Sequence, residues 1–203
     1  MENLKITSSA FEDGDEIPRK YGYEQENVSP PLKIENIPST TKSLTLIMDD
    51  PDAMDVVIDG KKPFKDPYVH WVVYNISAFK DLSSGDKPGR KIEIPESSAS
   101  VSPITLTDWE EQTATTERFN EFLVKSYGSA FCMLGINGWK EFAYGGPAPP
   151  DKRHTYVFKL YALDIGGYGA HKNKGGPVTK SGLENYMKDH IIEQTQLTGT
   201  YAP

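Results

Sequence analysis

The chain has 203 residues and a formal net charge of −7 at pH 7, with 37% hydrophobic and 25% charged residues. That length allows one domain with a well-buried core, no apolar run approaches the ~20 residues of a membrane span, and a negative chain without clustered Lys and Arg is a poor partner for nucleic acid. The single Cys132 excludes an internal disulfide and a CxxC metal site and fits a reducing cytoplasm, while Met1-Glu2-Asn3-Leu4-Lys5 lacks the basic and apolar regions of a signal peptide.

In chain order, residues 5–10 read as a short edge strand before the acidic turn Glu12-Asp13-Gly14-Asp15. Tyr21 to Leu32 is irregular, with Pro30 and Pro31 keeping it extended. Leu32-Lys33-Ile34 is a short strand, and Pro38 to Lys42 a turn into an apolar strand from Ser43 to Met48. That strand runs into Asp49-Asp50-Pro51-Asp52-Ala53, expected to be a rigid turn at a sheet edge, because proline fixes φ and removes a donor. Asp59-Gly60, between Val56-Val57-Ile58 and Lys61-Lys62, signals a hairpin. Tyr68-Val69-His70-Trp71-Val72-Val73-Tyr74-Asn75-Ile76 is β-branched and aromatic almost throughout, so a central strand covered on both faces is expected.

Residues 81–102 are loop-rich, and the basic stretch Lys87 to Lys91 reads as a solvated turn. Thr107-Asp108-Trp109-Glu110 matches a capping box, and Phe119, Phe122, Leu123 and Tyr127 share a helical face, predicting a helix over about 108–127 ended by Gly128. Gly145-Gly146-Pro147-Ala148-Pro149-Pro150 is too rich in Gly and Pro for a regular element. His154 to Asp164 alternates as a second long strand, with His154 and Tyr156 on one face. A glycine-rich connection, 166–177, leads to a capping box at Ser181–Glu184. The period of Leu183, Tyr186, Met187, His190, Ile191 and Gln194 then predicts a helix over about 182–195, with an extended tail from Leu197. Strands without βαβ alternation indicate a mostly-β or α+β single domain over 1–203.

If the three best strands are neighbours, Asp50, His70, His154 and Tyr156 converge at one end of a sheet. Such a group suits an anion: Tyr donates a hydroxyl, protonated His a charged N–H, and a nearby carboxylate favours the charged His. The Gly145 and Gly146 amides would add an anion-binding nest. The bland readings stand beside this: the Asp residues cap the turn, His70 and Tyr156 fill the core, His190 packs and His171 is solvated. Asp50, Asp52, His70 and His154 lack the usual spacing of metal ligands, and no P-loop, GxGxxG or GxSxG is present. Ser29, before Pro30, is the one candidate nucleophile, and Cys132 in its apolar run reads as buried and inert.

Five motifs in order carry a resemblance: Asn27-Val28-Ser29-Pro30-Pro31-Leu32, Asp50-Pro51-Asp52-Ala53, the strand from Val69 to Ile76, Gly146-Pro147-Ala148-Pro149-Pro150, and the strand from His154 to Asp164. The chain resembles the phosphatidylethanolamine-binding protein family, in its bacterial and archaeal branch, which the closing Gly199-Thr200-Tyr201 also matches. The resemblance implies a mostly β fold: a large central antiparallel sheet packed with a smaller sheet, with peripheral helices including a C-terminal one. It implies a pocket for phosphate-like anions or phosphorylated head groups, with ligand-binding residues Asp50, Asp52, His70, Gly146, Pro147, His154 and Tyr156, no catalytic residue, no metal and no cofactor. The expected activity is non-enzymatic binding in the cytoplasm, open to a regulatory role, with Asp50 orienting and charging His70 while His154 and Tyr156 donate to the anion. The alternatives are a protease or kinase inhibitor acting through an exposed loop or helix, and a cryptic hydrolase or metal enzyme. Three departures stand out: Met54 where proline usually follows DPDA, Thr155 where the late motif has Arg, and Glu26 where glycine precedes the Asn motif. A segment at about 96–130 reads as an atypical insertion, whose helix packs beside the pocket, forms a dimer contact, or is a surface elaboration filling its own small core.

Overall fold

The structure is a computed structural model that describes residues 2–77, 91–97, 105, 107–108, 132–168 and 177–203. Most of the 96–130 segment, including the helix face of Phe119, Phe122, Leu123 and Tyr127, lies outside them, as does His171. At its start, Thr105 Oγ1 accepts from the Asp108 amide (3.1 Å) and Asp108 Oδ2 from the Thr105 amide (2.9 Å). This reciprocal cap sits two residues before the expected one.

Among the described residues, eight strands form two antiparallel sheets. β1 (Lys5–Ser8), β2 (Leu32–Glu35) and β5 (Lys91–Ile94) make a small sheet in the order β1-β2-β5. β3 (Ser43–Asp50), β4 (Tyr68–Ser77), β6 (Met133–Leu134), β7 (His154–Leu163) and β8 (Ile191–Tyr201) make the large one, in the order β6-β4-β3-β7-β8. β3, not β4, is the middle strand. Every residue of β3 is buried, so the Asp50 turn ends the centre of the sheet rather than an edge. β4 is still covered on both faces, its outer side closed by β6 and by Gly135, Gly138 and Gly145 amides donating to Val72, Val69 and His70 carbonyls. Asp59 and Gly60 both have positive φ, as a two-residue hairpin turn requires, and Ile58 and Lys61 exchange both backbone bonds at 2.9 Å.

Strand alternation builds two cores. Leu44, Leu46, Met48, Trp71, Val73, Phe158 and Leu160 pack toward the small sheet, against Ile6, Leu32 and Ile34. Ile47, Val72, Tyr74 and Leu163 pack on the reverse face, under Leu183 and Met187 of α1 (Lys180–Met187). Asp49 and Asp50, adjacent on β3, therefore face opposite sides.

The helix expected over 182–195 is shorter. Thr179 caps it, accepting from the Gly182 amide, and it ends at Met187. A turn follows, with His190 N–H donating to the Met187 carbonyl (2.8 Å), and Ile191 onward is strand. The helical period holds for Leu183, Tyr186 and Met187 only. Beyond them β7 offers a full free edge, and Glu193 to Tyr201 pair with it residue by residue. Saturating those backbone groups outweighs continuing a weak helix, and the β-branched Ile191 and Ile192 favour the strand. Among the described residues no helix is long and apolar enough to cross a membrane.

Candidate functional site

The site begins where β3 ends. Asp50 is 4% exposed. Its Oδ1 accepts from the Ala53 amide (3.1 Å), closing the short 3-10 turn Asp52–Asp55, and its Oδ2 lies 2.7 Å from His154 Nδ1. The capping role and the site role thus belong to the two oxygens of one carboxylate. Asp52 Oδ2 accepts from the Thr155 amide (2.7 Å), so the DPDA turn is fastened to the first residues of β7. Thr155 offers this amide whatever its side chain, and the missing Arg does not disturb the contact.

His154 has carboxylates at both nitrogens: Asp50 at Nδ1 and Asp151 Oδ1 at Nε2, 2.9 Å away. A neutral imidazole can donate from only one nitrogen, so this arrangement favours the imidazolium. Burial opposes the charge, but the bonds to Asp50 and Asp151 outweigh it and raise the pKa. Asp50 responds to the same burial with a raised pKa, which the His154 contact partly offsets. Asp151 has an exposed side chain, and His154 holds its carboxyl below the usual range despite the opposing effect of burial.

His70 behaves differently. The pairing of β3 and β4 shifts between Met48↔Trp71 and Asp49↔Val69, which leaves His70 as the extra residue of a β-bulge. Trp71 faces the core shared with the small sheet and Val69 the core under α1. The bulge between them turns His70 to the Tyr156 side, with the two rings perpendicular and 5.0 Å apart. Nδ1 lies 2.8 Å from the Gly145 carbonyl oxygen and 3.1 Å from that of Gly146. Carbonyls only accept, so Nδ1 carries the proton and Nε2 presents a lone pair. Burial lowers the pKa to about 4, so His70 is neutral at physiological pH.

Two expectations fail here. Asp50 does not orient or charge His70; it holds His154. Nor do the glycine amides form an anion nest: Gly145 N–H donates to the His70 carbonyl (2.9 Å) and Gly146 N–H to Asn27 Oδ1 (2.8 Å). The loop turns its carbonyls toward the imidazole because its amides are consumed in holding β4 and the Asn27 turn. Asn27, at φ +52°, supplies the left-handed turn itself, without a glycine at Glu26. The Pro147 carbonyl accepts from Tyr23 N–H (3.0 Å), pinning the loop further.

Tyr156 is wholly buried, and its hydroxyl faces the Ala148 amide without a partner in hydrogen-bonding geometry. Burial raises its pKa, so it remains a protonated donor. Around His70 stand Trp139 (5.1 Å between centroids) and Tyr68 (5.5 Å); Tyr23 stacks on Trp139 at 4.3 Å and Phe64 meets Tyr68 edge-on at 5.2 Å. The structure thus brings the sequence-expected residues together in two linked groups. Asp50, Asp52 and His154 form one; His70, Tyr156, Gly146 and Pro147 form the other; β7 joins them through His154 and Tyr156.

Sequence reasoning missed Asp151, Asn27 and the aromatic wall. Asp151 sits three residues before His154 and Asn27 opens a quoted motif, so both left a signal. Tyr23 and Trp139 lie in irregular chain and left none. Outside the site, Ser29 is wholly buried with its hydroxyl unbonded, burial pushes the Cys132 thiol up to about 11, and His190 Nδ1 pairs with Asp164 at the surface (2.9 Å).

Known proteins resemble the chain over nearly its whole length. The family model described as phosphatidylethanolamine-binding protein matches residues 7–202. A UPF0098 protein of Chlamydia muridarum is 32% identical over 200 residues, covering 98% of both chains. An archaeal UPF0098 protein, of Methanothermobacter thermautotrophicus, is 28% identical over 198 residues with 98% of each covered. The crystal structure of a phosphatidylethanolamine-binding protein homologue from Chlamydia trachomatis superposes with a TM-score of 0.65 at 30% identity, covering 98% of this chain and 97% of that one. A fold, a motif order and a family match that all span nearly the whole sequence have one reading: the chain belongs to the phosphatidylethanolamine-binding protein family.

Proposed function

We propose that this protein is a non-enzymatic binding module for a phosphate-bearing head group or phosphate-like anion. The observation that carries the reading is the Tyr156 hydroxyl, a buried donor without a partner, beside a neutral His70 whose Nε2 is an acceptor. A buried polar group left unpaired is destabilising, and its retention has a reason when a ligand completes it. One donor and one acceptor together fit a monoanionic phosphate: P–O⁻ accepts from Tyr156, and P–OH donates to His70. No turnover is assigned, since Ser29 has no base bonded to its hydroxyl and the Cys132 thiol is held protonated. The single Cys132 supports a place in the reducing cytoplasm.

Calorimetric titration with O-phosphoethanolamine and inorganic phosphate tests this. Wild type binds, and binding weakens by up to about tenfold per pH unit above the second phosphate pKa, near 6 for the monoester and about one unit higher for inorganic phosphate, because the monoanion disappears. Tyr156→Phe loses binding while keeping or gaining stability, since it removes an unpaired hydroxyl. Failure of both wild type and Asp151→Ala to bind either compound at millimolar concentration overturns the reading.

A second reading, inhibition of a protease or kinase, has one supporting observation. Val57 and Ile58, at the Asp59-Gly60 hairpin, are 59% and 50% exposed, the most exposed large apolar residues described. If wild type inhibits a serine protease or kinase, and Val57→Asp abolishes that inhibition while Tyr156→Phe keeps it, this reading replaces the first.

A further inference from the structure

We infer that Asp151 is an internal ligand of this site: its carboxylate occupies the His154 Nε2–H donor that the oxyanion of a bound ligand takes when Asp151 swings away. The inference rests on the binding function proposed above and adds a regulatory element to it. His154 is held in place from beneath. Nδ1–H donates to buried Asp50, and Asp50 is fixed by the Ala53 amide, so the imidazole keeps its orientation whatever sits at Nε2. Nε2 faces outward, and the group it meets is a carboxylate on an exposed loop residue, at 2.9 Å. Tyr156, the unpaired donor, lies two residues along the same face of β7.

The loop is built to let Asp151 go. Its base is pinned at Gly145, Gly146 and Pro147 by His70, Asn27 and Tyr23. Its far end is tied outside the site, where Arg153 reaches Thr200 and Glu16. Between them Asp151 and Lys152 are exposed, and the His154 contact is the side-chain bond that holds Asp151 inward. Exchanging one oxyanion for another leaves the imidazolium compensated throughout, so the exchange avoids the penalty of an unpaired buried charge. The charged and titratable groups facing His154 are Asp50 from β3, Asp52 from the turn after it, Asp151 from its own loop, His70 from β4 and Tyr201 from β8. The incoming oxyanion replaces Asp151 at Nε2 while Asp50 stays at Nδ1, so the imidazolium keeps two anionic partners.

The test is calorimetric titration of inorganic phosphate into wild type, Asp151→Asn and Asp151→Ala at about pH 6. Asp151 is exposed, so both variants are expected to fold, which circular dichroism checks. Loss of a partly exposed charged competitor is expected to tighten phosphate binding about three- to tenfold in Asp151→Ala, with the weaker acceptor of Asp151→Asn in between. Binding by the variant where wild type shows none is the same result in stronger form. If wild type binds through Tyr156 and His70 but Asp151→Ala binds equally or more weakly, Asp151 is not a competitor and only this inference falls. If neither wild type nor Asp151→Ala binds phosphate, the binding function falls, and the inference with it.

Discussion

Acid should weaken this fold through His70 in a way that can be isolated. The unfolded chain protonates His70 near 6.5, whereas the folded protein, with the ring buried and Nδ1–H on two carbonyls, does so only at about 4. Between those values the unfolded state binds more protons, so stability falls as pH falls. The shift spans about 2.5 pH units, and at 1.36 kcal/mol per unit the full effect is about 3 kcal/mol, complete once the pH reaches about 4. His70→Asn is the control. Its amide N–H can replace Nδ1–H toward the Gly145 carbonyl, but it does not titrate. Urea unfolding of both proteins between about pH 7 and pH 4 gives two profiles in which the carboxylates, common to both, cancel. Wild type should lose about 3 kcal/mol more than His70→Asn across that window. Parallel profiles, or an NMR titration placing the His70 pKa near 6.5, would refute the neutral, lone-pair-bearing imidazole on which the ligand chemistry rests.

Two further changes probe how the site is held. A Cβ at Gly146 would overlap the Tyr21 carbonyl and the Gly22–Tyr23 backbone, neither of which can rotate away. Gly146→Ala should therefore lose about 2 kcal/mol or more in chemical denaturation and displace the carbonyls that position His70; a change below about 0.5 kcal/mol would show that the loop is not wedged there. Asp49, buried on the reverse face of β3, receives bonds at 2.8 Å from Lys159 and from Lys180 of α1. Asp49→Ala leaves Lys159 without its partner and Lys180 with Glu184 alone, 3.9 Å away, but both lysine side chains are partly exposed, so the expected loss is about 2 kcal/mol rather than the 3–5 of a fully buried pair. Hydrogen exchange should then speed up in α1 first, and unchanged protection there would mean that apolar packing alone docks the helix.

Much of this protein is local in its causes and was legible in the sequence. Ser43–Asp50 is a strand because a short apolar run bounded by turns dictates it, and Tyr68–Ser77 and His154–Leu163 because β-branched and aromatic side chains do. Asp59-Gly60 turns because its two residues accept positive φ. Alternation along His154–Leu163 already put His154 and Tyr156 on one face. The motifs named residues that the fold gathers at one end of the large sheet, though not their contacts. Pairing and burial assigned those. In the sequence His190, Ile191 and Gln194 continue the helical period of Leu183 and Met187, and the free edge of β7 ends it by offering a ladder of backbone bonds that a helix end cannot match. Asp50 could have held either histidine. A one-residue bulge carries His70 to the Tyr156 side, and the loop docked there takes its Nδ1–H on the Gly145 and Gly146 carbonyls, which leaves Asp50 to His154; neither the bulge nor the docking has a local signature. The charge states followed from the same event: His154 lies between two carboxylates and is charged, while His70 lies against carbonyls and is neutral. Side-chain chemistry fixed what each group is able to do; the surroundings that only the folded chain assembles decided which of those things it does.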